Sequence, residues 1–148
     1  MAISNVMTAR DEIIDVLKAK FPQYEKFILP LNTETEIERN ANFSPAIFVH
    51  FGGYNVLDEA GNSQGTLRGV TWGVYIVYRD KRGAIYSNDA AGQLMLDIDI
   101  ALQGFMPTGY CKGQGALTGG KAPAPYPIDE QGAMLYPLIF SGKFVIGK

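Results

Sequence analysis

Apolar residues recur near the N-terminus at steps of three and four: Val6, Met7, Ile13, Ile14, Leu17 and Phe21, with Arg10 in the same register. That spacing predicts an amphipathic helix. Ser4 is a suitable N-cap, Asp11 and Glu12 sit where the helix dipole favours anions, and Pro22 ends the helix near Phe21. The short run 27–31, interrupted by Pro30, reads as extended, and the polar stretch 32–42 as a loop or an edge strand. The period then changes to two. Over 45–54, Ala46, Phe48 and His50 alternate with Ile47, Val49 and Phe51, which predicts a strand covered on both faces. Gly52 and Gly53 mark a bulge or bend in it. Residues 67–79 alternate most strongly: Val70, Trp72, Val74, Ile76 and Tyr78 share one face. With a loop at 55–66 between them, the two strands form an antiparallel hairpin.

A charged turn follows at 79–83. The next helix is expected to start at Ser87 or Asn88 and to end at Gly104 and Pro107. Ala91, Leu94, Met95, Ile98, Leu102 and Phe105 form its apolar stripe, and Leu96 and Ile100 widen it to more than one buried face. Residues 134–146 read as a last strand, bent or placed at an edge by Pro137 and Gly142. The order helix, hairpin, helix, strand predicts an α+β fold: a mainly antiparallel sheet with two main helices packed on one face. At 148 residues the chain fits one domain, 1–148.

Composition narrows the function classes. An apolar fraction of 47% with 19% charged residues is that of a globular protein. A net charge of −2 lacks the basic surplus of a duplex-DNA binder, so no sequence-specific nucleic-acid binding is expected. No stretch reaches the roughly 20 apolar residues of a membrane span. Residues 1–10 lack a basic region followed by an apolar run, so no secretory signal is expected. The single cysteine, Cys111, excludes an intramolecular disulfide.

The chemistry-bearing residues do not assemble into an enzyme. His50 is the one histidine and lies between apolar strand neighbours, which suits a partly buried residue with one hydrogen-bond partner. One His and one Cys do not make a zinc site. Asp97 and Asp99, two apart on a helix, diverge and solubilise its edges. The segment 115–122 is one residue from a phosphate-binding P-loop. Ala122 stands where a magnesium-binding hydroxyl is needed, and Pro123, Pro125 and Pro127 prevent the helix that must follow. No cofactor, metal or nucleotide is therefore expected. Trp72 and Tyr78 are read as packing residues rather than a stacking platform.

Element order and several segments carry a resemblance. The helix through Ile13, Ile14 and Leu17, Pro-Ala-Ile-Phe-Val at 45–49, Trp-Gly-Val-Tyr-Ile-Val at 72–77, the helix at 92–105 closed by Pro107, and Tyr-Pro-Leu-Ile-Phe at 136–140 are similar to phage tail-terminator and tail-completion proteins, especially the small tail proteins of Mu-like phages. The resemblance implies a non-enzymatic virion protein of the tail and neck, assembled in the host cytoplasm. It implies a homo-oligomeric ring, commonly a hexamer, that caps the finished tail tube, stops polymerisation and presents a surface for head–tail joining. The implied partners are the tail tube protein, the tail sheath protein and the neck or head–tail connector proteins. Another connector of the same assembly is the alternative, and a small-ligand-binding domain a more distant one. Charged residues in and beside the loops and the hairpin turn are the candidate assembly interface: Arg68, Arg79, Lys81, Arg82, Lys112, Lys121, Asp58 and Glu59. The glycine- and proline-rich segment 111–127 has few large apolar side chains and is expected to order only where subunits meet.

Overall fold

A computed structural model describes residues 3–31, 37, 45–57, 66–80, 84–129 and 132–146. Its first helix, α1 (Thr8–Lys20), ends as expected, with the Phe21 N–H donating to the Leu17 carbonyl at 2.8 Å and Pro22 opening a 3-10 helix, Pro22–Phe27. Its start differs. Met7, not Ser4, occupies the N-cap position and makes no side-chain capping bond. Asn5 instead accepts the Met7 N–H at 2.9 Å, turning the chain one step later than Ser4 would. The buried face is Ala9, Ile13, Ile14 and Leu17, while Arg10 pairs with Asp11.

Strands β1 (Ile28–Leu31), β2 (Ala46–Val56) and β3 (Leu67–Arg79) precede α2 (Ala84–Leu102), and β4 (Thr118–Gly120), β5 (Tyr126–Pro127) and β6 (Ala133–Val145) follow it. They form one sheet in the order β1-β2-β3-β6-β4, with β5 also paired to β6. Among the ladders between these described strands, β1–β2 is parallel and the others antiparallel. The hairpin is as expected, and its register shifts between Phe51 and Tyr54, where Gly53 takes φ +93°. That conformation suits glycine and makes Gly52-Gly53 a bulge.

Two expectations change. Helix α2 begins at Ala84, before Ser87, and Asn88 is no cap: its Oδ1 accepts the Tyr136 hydroxyl at 2.6 Å and ties the helix to β6. Strand β6 lies inside the sheet, paired with β3 on one side and with β4 and β5 on the other. Pro137 is tolerated there because β4 pairs residues 139–141 and β5 residues 134–135, leaving a gap at Pro137 on that side.

The sheet divides the core in two. On one face, Ile47, Val49, Val70, Trp72, Val74, Ile76, Tyr136, Phe140 and Phe144 pack beneath Ile13, Leu17, Ala91, Leu94, Ile98 and Leu102 of the two helices. The reverse face carries a smaller cluster, Leu31, Ile37, Ala46, Phe48, Val77 and Leu135, at one end only. Toward the hairpin end it becomes polar or small: Gly69, Thr71, Gly73, Ser141 and Lys143 follow one another in register. The α+β architecture with both main helices on one face of a mainly antiparallel sheet is thus the observed one.

Candidate assembly surfaces

The segment after α2 closes the helix-covered face. Gly104, at φ +82°, turns the chain, and its N–H donates to the Leu117 carbonyl at 2.8 Å while the Leu117 N–H donates to Phe105. Leu117 is fully buried. Cys111 N–H donates to the Lys143 carbonyl at 2.9 Å, and Gly115 N–H to the Cys111 carbonyl at 2.6 Å. The Gly119 N–H donates to Gln103 Oε1 at 2.9 Å. Residues 104–120 are therefore held by the subunit's own contacts, which for 111–120 departs from the expectation from composition for 111–127. Glycine here permits close approach: a Cβ on Gly115 would lie 2.4–2.6 Å from backbone atoms of Cys111 and Lys143. The P-loop near-miss is consumed in this way, since Thr118-Gly119-Gly120 is strand β4. The proline-bearing stretch 123–127 is exposed.

Tyr110 seals the same end. Trp72 Nε1 donates to its hydroxyl at 2.9 Å, across a buried contact. Burial pushes the Tyr110 phenol up to about 12, and the nearby Glu12 carboxylate adds to that, while the Trp72 hydrogen bond opposes it. Glu12 also holds the loop directly, accepting from the Thr108 N–H at 3.1 Å and the Thr108 hydroxyl at 2.8 Å. Phe51 tilts against Trp72, and Tyr54 stands edge-on to Phe144 with centroids 5.6 Å apart. Trp72 is fully buried, which makes it a packing residue as expected.

His50 sits on the reverse face. Its ring stacks on Tyr75 at 5.6 Å, and its Nδ1 lies 3.4 Å from the Tyr75 hydroxyl. Burial raises the Tyr75 phenol, with Tyr126 adding to the effect. The pair resembles sheet-surface packing rather than an acid–base site, since the hydrogen bond is long and no carboxylate orients the imidazole among the described contacts. Asp97 accepts from Gln93 at 3.0 Å along the outside of α2. Among the described residues, no three His, Cys, Asp or Glu side chains converge to hold a metal.

Of the charged residues expected at an assembly interface, Arg68, Arg79, Lys112 and Lys121 lie among the described residues. Arg68 and Arg79 occupy opposite ends of β3, roughly 36 Å apart along an extended strand. Arg79 pairs with Asp129 at 2.5 Å, and Asp129 also accepts the Ala133 N–H at 3.1 Å, so this group fastens the turn into β6. Arg68 lies opposite Val56 and Phe144 at the hairpin end. Lys112 and Lys121 are exposed on either side of the locked segment. Lys81, Arg82, Asp58 and Glu59 lie outside the described residues. What sequence reasoning missed is apolar: Leu96 and Ile100 of α2, expected on a second buried face, project into solvent, as do Tyr54 and Val56 of β2.

Comparison with known proteins assigns this architecture. A chain of the solved structure described as the virion of a native gene transfer agent (GTA) particle shares the fold, with a TM-score of 0.52 at 15% identity over 91% of this chain and 92% of that one. Another solved chain reaches a TM-score of 0.48 at 13% identity, over 94% of this chain and 96% of its own. No curated protein sequence matches. A family described as phage tail terminator protein matches residues 3–148, essentially every element described above, and the chain belongs to that family of phage tail structural proteins.

Proposed function

We propose that the protein caps the phage tail tube as a ring, a hexamer in the simplest case, ends tube polymerisation and offers the surface on which head and tail join. The observation that carries this reading is the family match over residues 3–148. The fold is consistent with a role in assembly rather than catalysis: His50, Cys111, Asp97 and Asp99 are dispersed over different surfaces, and the glycine-rich segment is bound into the sheet. The solved chain of similar fold comes from a virion particle, which agrees with a place in the tail and neck after assembly in the host cytoplasm. The tail tube protein, the sheath protein where there is one, and the head–tail connector proteins are then its neighbours. No cofactor takes part and no reaction is catalysed.

Tail assembly with and without the protein tests this. Tails made in its absence should be of uncontrolled length, and purified protein added to growing tubes should stop them, with a ring visible at the tube end by electron microscopy. Tails of normal length that merely fail to join heads would transfer the protein to the connector role instead.

A further inference from the structure

Strand β6 is 13 residues long and pairs with β3 along its whole length, from Ala133 to Val145. Its other side would be a long edge carrying Leu135, Tyr136, Phe140 and Phe144, and a long apolar edge is a template for strands of other chains. The strip 118–127 covers that side through β4 and β5, passing Pro137 unpaired between them. The strip is then the edge of the sheet here, and its own outward side decides whether a further strand can add.

Strand addition draws on the donors of every second residue. The Gly119 N–H donates to Gln103 Oε1, so it points away from β6, while Thr118 and Gly120 on either side turn theirs toward it. At the other end the Ile128 N–H donates inward to the Ala133 carbonyl at 3.1 Å, which leaves position 127 facing outward. The outward series is thus odd-numbered at both ends. In it, Gly119 has its donor occupied, and Pro123, Pro125 and Pro127 have none. Lys121, the remaining odd position, is exposed and sets a charge on the edge, which also opposes pairing. Residues 123–127 are exposed, so packing within the subunit does not account for the prolines.

We propose that residues 118–127 are a guard on the sheet edge: they pair inward with β6 and offer no ladder outward, so that a second copy of this chain cannot join by extending the sheet on this side. Association is thereby left to other surfaces. The inference goes beyond the ring reading and does not depend on it, since it concerns a contact that the fold withholds.

Restoring the donors tests it. The triple variant Pro123→Thr, Pro125→Thr, Pro127→Thr in the full chain should keep a cooperative thermal transition. At equal concentration it should place about tenfold more protein than the unmodified chain in species larger than the native assembly by sedimentation, with a rise in thioflavin T fluorescence. Ala124→Thr, which adds the same side chain to the strip without adding a backbone donor, should sediment as the unmodified protein does. A folded triple variant that sediments like the unmodified protein would overturn the inference. So would association of Ala124→Thr as strong as that of the triple variant, because side chains rather than donors would then be responsible. If the triple variant does not fold, Pro125→Thr combined with Gln103→Ala, which frees the Gly119 N–H, carries the same comparison, and the absence of any larger species from it would overturn the inference.

Discussion

The two faces of the central sheet are built by the same strands and do different work. Along β3, Val70, Trp72, Val74 and Ile76 point to the helices and are all essentially buried, whereas Thr71 and Tyr75 on the reverse face are only half-buried. Along β6, Phe140, Gly142 and Phe144 belong to the first set, and Ser141, Lys143 and Val145 to the second. One face is crowded with aromatic rings whose neighbours cannot yield. The other carries Phe48, Val77 and Leu135 at one end, and toward the hairpin its residues are polar or small, with Thr71 and Lys143 half-buried and Ser141 exposed. The helix-covered face therefore carries the larger core, and the reverse face a smaller one confined to one end.

The comparison is tested most severely at Trp72. Trp72→Ala removes the largest buried side chain and also strands the Tyr110 hydroxyl without its donor. The expected loss is roughly 3–5 kcal/mol in chemical denaturation. A loss below about 1 kcal/mol would mean that the helix-covered face is not the stabilising one.

Alkaline titration sharpens the same contrast through Tyr110. Its phenol is pushed up to about 12 in the folded protein, against an ordinary value of 10.0. The folded state thus holds this proton more tightly than the unfolded chain. The stability so contributed is fully present below pH 10 and is lost as pH rises through about 12, by at most about 2–3 kcal/mol. Unfolding free energy measured from pH 9 upward should fall over that window, and Tyr110→Phe should flatten the fall. An unchanged slope in that variant would place the alkaline sensitivity elsewhere.

Legibility from sequence follows the same division. Period-two alternation located β2, β3 and most of β6, and period-3.6 spacing located α1 and α2, because each buries one stripe against a single large core. The parallel pairing of β1 with β2 was not legible, since four residues around Pro30 carry no signal of partner or direction. The inner position of β6 was hidden by Pro137 and Gly142, which as local signals suggest an edge. Gly142 is instead required by the Tyr110 ring pressed against it. The order of residues 104–120 was also hidden, because it depends on Leu117 and on backbone bonds to Phe105 and Lys143, and composition does not encode those contacts. At the candidate surfaces, the sequence identified Leu96 and Ile100 as apolar but could not show that they are exposed.

The smallest expected effect distinguishes the faces most finely, through two glycines of the sheet. A Cβ on Gly142 would sit 2.7 Å from Tyr110 Cε2 and 2.8 Å from the Gly115 carbonyl oxygen. The ring is packed beneath α1 and α2 and the carbonyl is backbone, so Gly142→Ala should cost about 1–3 kcal/mol through overpacking. A Cβ on Gly73 would sit nearly as close, 2.9 Å, to Tyr75 Cζ and Oη. Those atoms are the far end of a half-buried side chain on the reverse face, held among the described residues only by the long contact to His50 Nδ1, and its ring can swing away. Replacing glycine in a strand also reduces the freedom of the unfolded chain, a gain of about 0.4–1 kcal/mol where the backbone is compatible. Gly73→Ala should therefore change stability by less than about 1 kcal/mol in either direction. Its visible consequence should be at His50, whose ring now stacks on Tyr75. Because the chain has one histidine, a single pair of imidazole proton resonances reports the move. They should shift as the stacked ring departs, while the melting temperature barely changes. If Gly73→Ala destabilises the protein as much as Gly142→Ala does, the reverse face is as tightly packed as the helix-covered one, and the contrast between the larger and the smaller core is wrong.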